Sequence, residues 1–105
     1  MPETLAVITE EIEDEAETLG DVERSTRGGQ AMFARSGRLF AAADASGFDF
    51  RVGATIAGAA FRTPDTRASS RGSDWVRFEP VELERTAVDR AVSWFGAAWR
   101  RASED

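Results

Sequence analysis

Leu5, Ile8, Ile12, Ala16 and Leu19 recur at intervals of three and four, with carboxylates between them. That period is one face of an α-helix and predicts an amphipathic helix over 3–19, closed by Gly20 in a C-cap role. Acidic residues at its start suit the helix dipole, but Glu17 near its end opposes it, so tertiary packing must hold the helix. The middle of the chain changes period. The stretch QAMFARSGRLFAAA (30–43) has two apolar runs around Ser36-Gly37, which predicts a hairpin. DASG at 44–47 is a second turn signal, and FDFRV at 48–52 alternates, with Phe48, Phe50 and Val52 on one side and Asp49 and Arg51 on the other. Alternation of that kind is a half-buried strand.

GATIAGAAF (53–61) predicts a short helix with Ile56, Ala60 and Phe61 turned inward, although Gly58 weakens it. The polar stretch 63–74 is rich in turn residues, and Thr66–Ser69 within it has the option of pairing as a strand. WVRFEP follows as a strand ended by Pro80. A final helix is expected from Glu82 to Ala102, with Leu83, Val88, Ala91, Val92, Phe95, Ala98, Trp99 and Ala102 as its apolar stripe. Trp94 and Trp99 read as packing residues of that helix. The order is α-β-β-β-α-β-(β)-α, hence an α+β fold with one antiparallel sheet packed by helices.

If Phe48, Phe50 and Val52 face the helices, so do Val76 and Phe78, and Trp75 and Arg77 point the other way. Met32 and Phe33 point to opposite faces, as do Leu39 and Phe40, without the pattern saying which is which. The expectation is an aromatic and aliphatic patch on the second face of the sheet, bordered by arginine. Its candidate residues are Trp75, Arg77, Arg71, Met32, Phe33, Leu39 and Phe40. An exposed patch of that kind marks an interface.

Composition narrows the chemistry. The chain of 105 residues suits one domain and has no His or Cys, and thirteen arginines supply all its positive charge. Without His and Cys, the usual general base, thiol nucleophile and soft metal ligands are missing. The net charge of −6 is uneven: residues 1–23 carry −9, 24–77 carry +5 and 78–105 carry −2. The acidic start reads as a solvated helix face, or as a shield over a basic surface. No basic start followed by an apolar block is present, so no signal peptide is expected, and the lack of cysteine points to the cytoplasm.

AMF at 31–33, GRLFA at 37–41, FDFRV at 48–52, WVRF at 75–78 and the final helix occur in that order over 24–102. In these features the chain resembles the TfoX N-terminal and YjbR (MmcQ) group of small bacterial domains. The resemblance implies an α-β(3)-α-β(2)-α arrangement in two layers, and for some relatives DNA binding or a link to competence regulation. Arg51 stands where the group commonly has Lys, and the chain is more acidic than expected of that group. A small luciferase-like domain family is also similar but generally contains His.

Two functional readings follow. The first is a non-catalytic interaction domain forming a homodimer through the second sheet face. The second is nucleic-acid binding by Arg62, Arg67, Arg71 and Arg77, with Trp75 as a stacking platform. The negative net charge opposes the second. An enzyme would depend on carboxylates such as Glu10, Asp14 and Glu17, or Glu11 and Glu15, which read as the solvated side of the first helix. The Gly pair in TRGGQ (26–30) reads as a turn, since no Gly-Lys-Ser/Thr pattern follows it. No catalytic residue, cofactor, metal or membrane contact is expected.

Overall fold

In the computed structural model, residues 3–103 are described; Met1, Pro2, Glu104 and Asp105, two of them counted in the charge above, lie outside them. The elements are α1 (Glu3–Leu19), β1 (Glu23–Arg27), β2 (Gln30–Arg35), β3 (Arg38–Ala43), β4 (Phe48–Phe50), α2 (Ala54–Ala60), β5 (Thr66–Ala68), β6 (Val76–Phe78) and α3 (Arg85–Ala102). The strands form one antiparallel sheet in the order β1-β2-β3-β4-β6-β5. The fold is α+β, as the hydrophobic pattern predicts.

α1 matches its expected span, with Leu5, Ile8, Ile12 and Ala16 buried and Gly20 at φ 78° just past its end. The strand β1 is an addition to the predicted order. Its sequence, ERSTR, is exposed throughout, so it has no core-facing alternation to betray it. Gly28 and Gly29, both at positive φ, make the two-residue turn from β1 into β2, and Ser36-Gly37 does the same between β2 and β3.

α3 lies against β2, β3 and β4, and α1 packs beside it. Phe33 and Phe40 close on Phe95 of α3 with ring centroids 5.3 and 5.2 Å apart, and Trp94 meets Phe78 edge-on at 5.2 Å. Burying each of these rings contributes about 2 kcal/mol. The stripe of α3 is centred on Ala87, Ala91, Phe95, Ala98 and Ala102, with Val88, Trp94 and Trp99 packed at its margins. Leu83 departs from expectation: it precedes the helix and is exposed. In α2, too, the inward face is Ala57 and Ala60, while Ile56 and Phe61 are exposed. Ala57 and Ala60 belong to the buried core, and the larger side chains stay outside.

The C-terminal end of α3 is held by the β2–β3 hairpin. Arg35 Nη1 donates to the Trp99 carbonyl at 3.0 Å and Arg38 Nη1 to that of Ala102 at 2.9 Å. Both satisfy carbonyls that have no partner within the helix and place positive charge at the negative end of its dipole. The Arg35 guanidinium also stacks 3.5 Å over the Trp99 ring, whose Nε1 donates to the Gly20 carbonyl at 2.9 Å. One tryptophan thereby fixes the end of α1, the end of α3 and the hairpin together.

Candidate functional site

The strand register sets Ser25, Met32, Ala42, Asp49, Arg77 and Arg67 in one row across the sheet. This row is on the side away from α1 and α3, because the flanking Phe48, Phe50, Val76 and Phe78 belong to the helix-side core. The second face is therefore built around charge.

Asp49, 6% exposed, and Arg77, whose side chain is 13% exposed, stand opposite each other on β4 and β6. Arg77 Nη1 donates to Asp49 Oδ2 at 3.0 Å and Asp44 Oδ2 at 3.0 Å, Nη2 to Asp44 Oδ1 at 2.8 Å, and Nε to Glu79 Oε2 at 3.1 Å. The remaining oxygen of Asp49 accepts Ser69 Oγ at 2.8 Å. Arg71 approaches Asp49 Oδ2 with Nε at 3.5 Å and donates from Nη2 to Gln30 Oε1 at 2.8 Å. This guanidinium links Gln30 on β2 to Asp49 on β4 across the intervening β3. Arg67 Nη1 reaches the other oxygen of Glu79 at 3.1 Å.

Three guanidiniums thus meet three carboxylates. Burial tends to pull the Arg77 guanidinium down, but its hydrogen bonds to Asp44 and Glu79 and the charge of Asp49 outweigh burial and raise it. The bond from Arg77 lowers the Asp44 carboxyl to about 2, against the partial cost of burial, helped by the Ser46 and Gly47 amides. A second cluster follows the same logic. Arg51 Nε donates to Asp74 Oδ2 at 2.8 Å and lowers that carboxyl, with Arg101 Nη2 3.9 Å away. Each of these shifts moves a group away from neutral pH.

The expected patch needs correction in three places. Phe33 and Phe40 are not on the second face but in the core against Phe95. Phe33 alternates with Met32, which takes the second face, and Phe40 is turned to the helices by a break in register: Phe33 pairs with Ala41 and Ala34 with Leu39, leaving Phe40 as an extra residue. Trp75, the residue just before β6, lies outside the helix-side core, but it is only 7% exposed. The 69–74 segment packs against it: the Arg71 guanidinium is 5.4 Å from its ring, and Gly72 is close to its edge. Met32 and Leu39 are half-buried. No contiguous apolar surface joins the seven residues.

The arginines of the second reading divide as well. Arg67, Arg71 and Arg77 come together, but with Asp44, Asp49 and Glu79 between them, and Arg62 is exposed on the α2–β5 connection. The three carboxylates, Gln30 and Ser69 are what the pattern of arginines leaves out. Asp49 did carry a signal: FDF and VRF have the same alternation, which puts opposite charges on one face when the strands pair.

Elsewhere, a groove of about 330 Å³ runs beside Pro64, Val81, Glu84 and Arg90. Val81 at its rim is 77% exposed. Among the described residues no group of three potential ligands is placed to hold a metal ion, and no helix is long and apolar enough to cross a membrane. Comparison with known proteins brings no match, whether to family models, curated sequences or solved structures.

Proposed function

We propose that this chain is a non-catalytic, cytoplasmic interaction domain of the TfoX N-terminal and YjbR-like kind that associates with copies of itself. The observation that carries this reading is the closure of the second sheet face by matched Arg–carboxylate pairs. General acid–base work favours groups that titrate near neutral pH, and Asp44, Asp74 and Arg77 are driven the other way. Phosphate binding needs guanidiniums with spare donors, whereas Arg77 spends its nitrogens on Asp44, Asp49 and Glu79. A buried Trp75 offers no open ring for a base to stack on. What the surface leaves open suits protein contact: a fully exposed edge strand, β1, and the exposed apolar side chains Ile56, Phe61, Val81 and Leu83.

Light scattering on the full chain from about 1 μM to about 1 mM, at two salt concentrations, tests the reading together with titration of a short oligonucleotide. The expected result is a mass that rises toward a dimer with concentration at both salts, without oligonucleotide binding. A monomer throughout, with oligonucleotide binding that weakens as salt rises, would replace it with the nucleic-acid reading.

A further inference from the structure

The sheet has two edges, and they are unlike. β5 has three residues, follows Pro64 and Asp65, the latter at φ 66°, and ends in the 69–74 segment. β1 has five residues, every one exposed, with no proline and a regular register against β2. Edge strands are commonly blunted by charge, brevity or bulges. β1 has charge, but arranged in a particular order.

We propose that β1 pairs antiparallel with β1 of a second copy of this chain about a two-fold axis at Ser25, which extends the sheet across the dimer. This rests on the self-association reading above and specifies its surface. Turn geometry sets which backbone groups are available. In a two-residue hairpin the residues flanking the turn, here Arg27 and Gln30, exchange hydrogen bonds with each other. Counting back by twos, Ser25 and Glu23 also turn their backbone groups toward β2, so Arg24 and Thr26 present theirs to the outside. Antiparallel pairing must match outward groups with outward groups, which restricts the axis to a residue of the strand.

Side chains choose among the remaining registers. An axis at Ser25 sets Glu23 opposite Arg27 of the second copy and Arg27 opposite its Glu23. It also pairs Arg24 with Thr26 in both directions. An axis at Arg24 would set two arginines face to face, and one at Thr26 would leave Glu23 without its cation. Opposite charges directly across a strand pair stabilise, and like charges destabilise. Arg27 makes no ion pair among the described residues, so its guanidinium is available. Glu23 has one carboxylate oxygen on the Gly37 amide at 2.9 Å and the other open. Arg24 is already neutralised by Glu13 of α1 on the helix side.

Sedimentation equilibrium at about 0.15 M salt tests this with wild type, Glu23→Arg, Arg27→Glu and an equimolar mixture of the two variants. Each variant alone sets like charges across the axis at both ends, whereas the mixed pair restores Arg opposite Glu at both. The proposal expects wild type to dimerise, each variant alone to lose at least about tenfold in dimer affinity, and the mixture to regain it. Circular dichroism checks that both variants fold, as expected for positions that are exposed and outside the core. Variants that dimerise like wild type, or a mixture that stays monomeric, would overturn the β1 pairing while leaving self-association standing. A monomeric wild type would overturn both.

Discussion

Asp49 and Arg77 face each other across β4 and β6, Nη1 to Oδ2 at 3.0 Å, on the side of the sheet away from α1 and α3. Neither strand has more than three residues, and both put two core side chains on one face and a single charge on the other. The pair does for the second face what the phenylalanines do for the first.

Removing the cation should therefore cost more than an ordinary surface ion pair. Arg77→Met leaves Asp49 nearly buried beside Asp44 and Glu79, with Arg71 as its own ion-pair partner and Arg67 on Glu79, and we expect a loss of about 3 kcal/mol in urea denaturation. Arg77→Lys should recover only part of it, since an ammonium cannot donate in a fork to Asp44 while also reaching Glu79. A loss below about 0.5 kcal/mol for Arg77→Met would place the pair with surface pairs of little weight.

Asp44 gives the network a pH signature. Its carboxyl is lowered from 3.8 to about 2 in the fold, so its contribution is fully present above pH 4 and disappears as pH falls toward 2. The shift corresponds to about 2 kcal/mol, and solvent screening at this partly open position reduces it to about 1. Asp44→Asn should thus be less stable than wild type at pH 7, with the gap closing between pH 4 and pH 2. A gap of the same size at pH 2 would mean that the carboxylate charge is not what Arg77 holds.

Gly47 and Gly58 should respond to alanine with opposite signs. A Cβ on Gly47 would lie 2.4 Å from the Phe78 carbonyl oxygen, so backbone must move, and Gly47→Ala should cost about 2 kcal/mol. Gly58 is exposed within α2 and meets nothing within 4 Å, so Gly58→Ala should add about 0.5 to 1 kcal/mol through helix propensity. Thermal melts of the two variants beside wild type check both signs.

The pattern of apolar residues made the large elements legible and the faces of the sheet only partly so. Leu5 to Leu19 form α1 as their spacing predicts, because a repeated stripe over four turns has few alternative explanations. β1 was invisible for the opposite reason: at the border of the sheet, beyond most of the core, none of its side chains is buried. Alternation leaves the faces of Leu39 and Phe40 open, and the break in register beside Phe33 decides them by adding one residue to the strand and turning Phe40 to the helices. Trp75 pointed to the predicted face, but its cover comes from Arg71 and Gly72, on a polar segment whose path is set by Asp49 and Gln30 far away in sequence. Likewise, size points to Ile56 and Phe61 as inward residues of α2 beside Ala60, whereas the buried face is Ala57 and Ala60.

The most direct test of the account is amide hydrogen exchange resolved to single residues, recorded on the full chain at several concentrations. Pairing of β1 with a second copy predicts that the outward amides of Arg24 and Thr26 gain protection as concentration rises, while the core amides of β3 and β4 do not change. Exchange at Arg24 and Thr26 that stays fast at every concentration, in a protein whose mass shows it to be a dimer, would contradict it.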